Sequence, residues 1–284
     1  MSQPSQQQHL NVYIQGKGYP ILCLHGHPGC GRSMSVFTQH LSQQFQTIAP
    51  DLRGYGKSNH EGEFEMIDHL NDIENLLNRL GINKCLVLGW SLGGILAIEL
   101  ALRCPARVSG LILIASAAKP RGNHPPITWQ DNLYTAIAAI LNRLKPGWQW
   151  NIETFGMRSL FRYLIQQHTP TAYHYIAKDA VSAYLQTSPQ ATRALNQALK
   201  AGYNRLADLA QIQCPSLILA GEADRHITAA SSQETAQHLK NSHWHCYPNT
   251  AHLFPWEIPD LILNDIDNWL EIDLPHFGKK LSNL

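Results

Sequence analysis

Six consecutive residues, Gly89-Trp90-Ser91-Leu92-Gly93-Gly94, constrain this chain more than any other segment. They match G-x-S-x-G, the pattern of a serine set on a sharp turn between a strand and a helix. The flanks agree with that reading. The apolar run Cys85-Leu86-Val87-Leu88 precedes the motif, and Ile95, Ala97, Ile98, Leu100 and Ala101 follow it with helical spacing. A serine held at such a turn takes up a strained backbone so that its oxygen stands clear of the sheet. Its neighbours two residues away are then crowded by both strand and helix, so they must be nearly free of side chain, as Gly89 and Gly93 are. A helix that begins just after Ser91 also points its first N–H groups toward any negative charge developing there.

The rest of the chain supplies the sheet that such a turn needs. Short apolar runs at Ile21-Leu22-Cys23-Leu24, Thr47-Ile48-Ala49, Leu111-Ile112-Leu113-Ile114 and Ser216-Leu217-Ile218-Leu219-Ala220 alternate with helical patterns, such as Ile67, Leu70, Ile73, Leu76, Leu77 and Leu80 closed by Gly81. His243-Trp244-His245-Cys246-Tyr247 reads as a last strand, and Leu261 to Leu270 as a last amphipathic helix. Continuously apolar strands between helices predict an α/β fold with a mostly parallel sheet covered on both faces. The alternation breaks at Lys119-Pro120-Arg121-Gly122 and resumes near residue 208, with only helical patterns between. The expected organisation is a core of residues 1–118 and 208–284 interrupted by a helical lid at 119–207, set over the active-site edge of the sheet.

Composition limits the possible partners. Formal net charge is +1 over 284 residues, which implies no nucleic-acid partner. No apolar run reaches membrane-spanning length. The six cysteines have no short metal-type spacing, and several lie in apolar strands, so free thiols in a reducing compartment are expected. Met1 to Gln8 is polar with no apolar core, so it reads as a frayed end rather than a signal peptide. A cytoplasmic protein is the expectation.

A serine hydroxyl becomes a useful nucleophile when a base takes its proton, and the base works best when a carboxylate orients it. Asp224 follows the strand-like run Leu217–Ala220, at the edge where open α/β sheets gather their active sites, with Glu222 as an alternative acid. His252 follows the last strand, 28 residues after Asp224. His243 and His245 are rival bases. They alternate along a strand and so share a face, but no further ligands of suitable spacing support a metal site. No metal and no cofactor are implied.

With these residues in place the chain resembles the α/β-hydrolase superfamily over nearly all its length. His25-Gly26-His27-Pro28-Gly29 is similar to that family's oxyanion loop, and Asp51-Leu52-Arg53-Gly54-Tyr55-Gly56-Lys57-Ser58 to its loop after the next strand. Gly221-Glu222-Ala223-Asp224 and Ala251-His252 are similar to its acid and base segments. The resemblance implies Ser91 as nucleophile, His252 as general base and Asp224 as orienting acid, with the backbone N–H groups of His27 and Leu92 as the oxyanion hole. It implies braces rather than chemistry for His25 and Asp51. Serine at the elbow argues against the dehalogenase and epoxide-hydrolase subfamilies, which carry aspartate there.

The lid segment carries a charge asymmetry. Between Lys119 and Arg205 there are ten basic residues and three acidic ones, although the whole chain is near neutral. Arg158 and Arg162, four apart, are expected on one helical face, with Met157, Leu160, Phe161, Leu164 and Ile165 on another. That stripe is either a solvated face or a docking surface for an anionic substrate or an acidic carrier protein. The elbow is also similar to that of the biotin-pathway esterases acting on a carrier-bound methyl ester, although the His-Pro-Gly at 27–29 departs from their oxyanion loop. Trp90, Arg158 and Arg162 are therefore candidate substrate or partner contacts. The expected activity is hydrolysis of a small carboxylic ester. Cleavage of a C–C bond or an enol-lactone by the same triad is the alternative within enzymes, and a ligand-sensing protein on a hydrolase scaffold is the alternative outside them.

Overall fold

A computed structural model describes residues 8–274. The expectation for the first eight residues falls outside this range except at Gln8, whose side-chain amide donates to the Asn59 carbonyl at 2.7 Å.

Seven strands form one sheet in the order β1-β3-β2-β4-β5-β6-β7. They are β1 (Val12–Gln15), β2 (Pro20–Leu24), β3 (Gln46–Pro50), β4 (Cys85–Trp90), β5 (Val108–Ile114), β6 (Ser216–Gly221) and β7 (Ser242–Tyr247). All neighbours are parallel except β1, which runs antiparallel to β3. The parallel strands are the apolar runs of the sequence. β1 had no such signature, because its four residues are half-buried or exposed on an edge and need no apolar alternation.

The pleat sends successive residues to opposite faces, and both faces are covered. Leu22, Leu24, Val87, Leu111, Leu113 and Ile218 point into one core with helices Met66–Arg79 and Leu92–Arg103. Ile21, Cys23, Leu88, Trp90, Ile112, Ile114 and Leu219 point into the other with helices Ser35–Leu41 and Pro259–Asp273. Burial on both faces is why these strands read as unbroken apolar runs rather than as alternation.

Between β5 and β6 the chain forms helices from Trp129 to Lys200. They rest on loops that follow the C-terminal ends of strands. Ser188 N–H donates to the Gly54 carbonyl after β3, Leu253 N–H after β7 donates to Leu164, and the Ser35 hydroxyl after β2 donates to Asp179. The expected continuous helical face at 157–165 is not formed. Gly156–Arg158 is a single 3-10 turn, Ser159 is extended, and a new helix runs only from Phe161 to Leu164. The cause is local: the Ser159 hydroxyl donates to the Gly156 carbonyl at 2.6 Å and accepts from Phe161 N–H at 3.1 Å, a side-chain turn that competes with helix.

Candidate active site

Ser91 sits between β4 and the helix Leu92–Arg103 with φ 54° and ψ −114°, a conformation that side chains other than glycine rarely adopt. The surroundings enforce it. Ser91 N–H donates to the Ile114 carbonyl at 2.9 Å, and the Ser116 hydroxyl donates to the Ser91 carbonyl at 3.0 Å. The two flanking glycines are required by contact: a Cβ on Gly93 would lie 2.0 Å from the Leu24 carbonyl oxygen, and one on Gly89 would lie 2.3 Å from the Gly93 carbonyl oxygen. The elbow therefore depends on strand and helix backbones touching at these two positions.

Two loops bring the partners to it. The turn after β7 carries His252, and the turn after β6 carries Asp224. The Ser91 hydroxyl lies 3.1 Å from His252 Nε2, and His252 Nδ1 lies 2.8 Å from Asp224 Oδ2. With the carboxylate on Nδ1, that nitrogen carries the hydrogen and Nε2 presents its lone pair to Ser91. The other Asp224 oxygen accepts from His226 N–H at 2.8 Å and Ile227 N–H at 3.0 Å, which fixes the plane of the carboxylate. Asp224 and His252 are both buried. Glu222, the alternative acid, is exposed and among the described residues accepts only the Asn249 N–H, at 3.1 Å. His243 and His245 are on the outer strand and pair with Asp273 and Asp265 at 3.2 and 3.4 Å. No group of three or more metal-ligating side chains exists among the described residues.

The loop after β2 closes against the serine. A Cβ on Gly26 would lie 3.2 Å from Ser91 Cβ, so the loop backbone abuts the hydroxyl. The backbone N–H groups of His27 and Leu92 donate to no atom among the described residues. His25 is fully buried. Its Nε2 accepts from Leu52 N–H at 3.1 Å, so its Nδ1–H donates to the Gly26 carbonyl at 2.8 Å, and burial lowers its pKa to about 4. It is a neutral brace between two loops. Burial likewise pulls His27 down to about 4, and its Nδ1 lies 2.9 Å from the Tyr55 hydroxyl. Asp51 binds the Asn11 amide and the N–H groups of Gly31 and Lys57 at 2.7 to 2.9 Å, which ties together the loops after β2 and β3.

The remaining candidates stand apart from this constellation. Trp90 projects into the apolar layer, edge-on to Phe37 and Trp256 at 6.1 and 5.2 Å, rather than into open space. Its strand position decides this, because the pleat turns it to the face opposite Gly89. Arg162 is bound to the buried Asp131 at 2.6 Å, and Arg158 donates to the Thr154 carbonyl at 2.9 Å, so the two do not form a matched open pair.

Two residues near the site had no sequence signal. Glu257 accepts Gln166 N–H at 3.1 Å, Gln167 N–H at 2.6 Å and Ala251 N–H at 2.9 Å, which joins the helical segment to the residue before His252. Burial raises the pKa of this carboxyl above the usual glutamate value even so. His226 stands beside His252, and burial followed by the field of His252 lowers it to about 4. An isolated Glu or His in a loop announces nothing until the fold brings its partners near.

Comparison with known proteins agrees with this architecture. The chain is 28% identical over 246 residues to a pimeloyl-[acyl-carrier protein] methyl ester esterase of Vibrio parahaemolyticus, covering 84% of this chain and 88% of that one. It is 27% identical over 280 residues to a 2-hydroxymuconate semialdehyde hydrolase of Pseudomonas putida, covering 94% and 92%. The solved structure of a thermophilic esterase from Thermogutta terrifontis superposes with a TM-score of 0.71 at 26% identity, covering 92% and 93%. The profile of the alpha/beta hydrolase fold family matches residues 19–259, and with that match the chain belongs to the α/β-hydrolase family.

Proposed function

We propose that this protein hydrolyses a carboxylic ester through Ser91, His252 and Asp224. His252 Nε2 takes the Ser91 proton as the oxygen attacks the ester carbonyl, and the resulting imidazolium is stabilised by Asp224. The N–H groups of His27 and Leu92, which donate to no atom among the described residues, receive the oxyanion. His252 then protonates the leaving alcohol. Water, activated by the same histidine, cleaves the acyl-enzyme and restores Ser91 with release of the acid. The observation that carries this reading is the continuous hydrogen-bonded run Ser91–His252–Asp224 at 3.1 and 2.8 Å, on a serine with φ 54°. The helices from Trp129 to Lys200, resting on loops at that edge, act as the lid. The unpaired state of all six cysteines supports a reducing, cytoplasmic setting.

A second reading is C–C bond hydrolysis by the same residues, favoured by likeness to the Pseudomonas putida hydrolase over 94% of this chain. An ester presented on an acidic carrier protein is a finer form of the first reading, favoured by the Vibrio relative and by the basic balance of the lid. One experiment separates them. Fluorophosphonate labelling should modify wild type and spare Ser91→Ala, and turnover should be compared on p-nitrophenyl esters, a carrier-linked methyl ester and a ring-cleavage dienoate. Ester turnover absent in wild type, or labelling retained in Ser91→Ala, would overturn the ester reading.

A further inference from the structure

The helix Trp129–Leu144 is amphipathic in the inverted sense. Its fully buried residues are Asp131, Ala138 and Asn142, with Tyr134, Ile137 and Leu141 half-buried beside them. Two of these are polar and satisfied: Asp131 by Thr128 and Arg162, and Asn142 by the Tyr173 carbonyl and Gly147 N–H. Its outward stripe is Trp129, Leu133, Ala136, Ile140 and Leu144, at spacings of four, three, four and four residues. Trp129, Ile140 and Leu144 are 72%, 62% and 77% exposed. Beside the stripe a cleft of about 360 Å³ lies between this helix and Val181–Leu185, where Leu185 is 74% exposed. Trp150 and Tyr184, elsewhere in the same helical segment, are also exposed. Soluble helices turn such a stripe inward, so its exposure along about 24 Å of helix marks a surface made to be covered.

Charge narrows what covers it. Of the three acidic residues between 119 and 205, Asp131 and Asp179 are buried, which leaves Glu153 as the exposed one. Arg143 and Lys145 flank the C-terminal end of the stripe and form no ion pair among the described residues. An acidic protein would be met by cations gathered at one end only, with the long apolar stripe left to find its own match. Leu, Ile and Trp along one side of a helix, with Arg and Lys at its border, suit the boundary between headgroups and acyl chains of an anionic bilayer. No described helix is long and apolar enough to cross a membrane, so the contact would be peripheral.

We infer that the exposed stripe Trp129–Leu133–Ile140–Leu144, bordered by Arg143 and Lys145, docks this protein on anionic phospholipid surfaces. This goes beyond the ester reading and does not depend on it. The test is co-sedimentation of the full chain with vesicles of phosphatidylcholine alone and of equal parts phosphatidylcholine and phosphatidylglycerol, with light scattering to record mass in solution. Wild type should pellet with the mixed vesicles and far less with phosphatidylcholine. Ile140→Ser with Leu144→Ser replaces side chains that already face solvent, and should weaken binding by about tenfold or more. Arg143→Glu with Lys145→Glu should remove the preference for the anionic lipid. Both variants should keep wild-type turnover of a small soluble ester and an unchanged circular dichroism spectrum, the second of which holds whether or not the protein is an esterase. Three results would overturn the inference: no pelleting with either vesicle, binding by the serine variant equal to wild type, or a wild-type dimer that the serine variant converts to monomer.

Discussion

His226 stands edge-on to His252, ring centroids 5.3 Å apart, and its backbone N–H binds the same Asp224 carboxylate that accepts the Nδ1–H of His252. One carboxylate thus orients the proposed base and its neighbour together, and each of its oxygens has an assigned partner. This arrangement supports Asp224 as the acid of the proposed triad.

Asp224→Asn should keep the fold, because the amide oxygen can still accept the His226 and Ile227 N–H groups. Its NH₂ then faces His252 Nδ1 and forces the hydrogen to Nε2, so the lone pair no longer meets Ser91. Ester kcat should fall on the order of 10⁴-fold, the scale of the same change in the protease triad. Glu222→Gln, at an exposed carboxylate bound to one backbone N–H, should change kcat by less than about tenfold. Steady-state kinetics of both variants check this, and a Glu222→Gln defect larger than the Asp224→Asn defect would refute the assignment.

Gly93→Ala tests the close approach at the elbow. The added Cβ would meet the Leu24 carbonyl oxygen at 2.0 Å, an atom of the sheet backbone that cannot turn aside. The variant should lose several kcal/mol of stability, about 3 or more, by overpacking and backbone shift. Urea unfolding followed by circular dichroism gives the value. A loss below about 1 kcal/mol would show that the turn can relax.

His69 offers a pH-dependent prediction. Its ring is fully buried, edge-on to Phe64 at 5.2 Å, and neither nitrogen has a hydrogen-bond partner among the described residues. Burial, then the fields of His25 and Arg53, lowers it to about 3. The unfolded chain therefore binds a proton at this residue below pH about 6.5 that the folded chain refuses, so stability falls as pH drops from there toward 3. Each such histidine contributes a slope of up to about 1.4 kcal/mol per pH unit in that window. His69→Phe removes one proton-binding site and two unsatisfied polar atoms. It should reduce the steepness of acid destabilisation and raise stability at pH 7 by about 1–2 kcal/mol. Thermal unfolding across pH 4 to 7 compares the two proteins, and an unchanged acid slope would reject the account.

Arg162→Glu should damage the helical segment between β5 and β6, because it faces the buried Asp131 with a like charge where a 2.6 Å ion pair stood. The melting temperature should drop, and turnover of charged and neutral esters should fall together. Arg158→Glu breaks only a bond to the Thr154 carbonyl and should leave both nearly unchanged. Differential scanning calorimetry with paired substrates separates the two positions. A selective loss on anionic substrates in Arg162→Glu, without a lower melting temperature, would instead make Arg162 a docking residue.

The sequence by itself determined the parallel sheet and the elbow, and offered Ser91, His252 and either Asp224 or Glu222 as the candidate triad. These are carried by local patterns: apolar runs buried on both faces, two glycines at a contact that excludes side chains, and an acid and a histidine that each follow a strand. Only the tertiary structure decided between Asp224 and Glu222, two residues apart, since the choice rests on which carboxylate the loop after β6 turns inward. It also brought Glu257 and His226 to the site, broke the expected helical face at Ser159, turned Trp90 into the core and left the apolar stripe of helix Trp129–Leu144 facing out. Periodicity shows that a helix has an apolar side, but burial of that side depends on what packs against it. For this helix, satisfied partners for Asp131 and Asn142 hold the polar side inward.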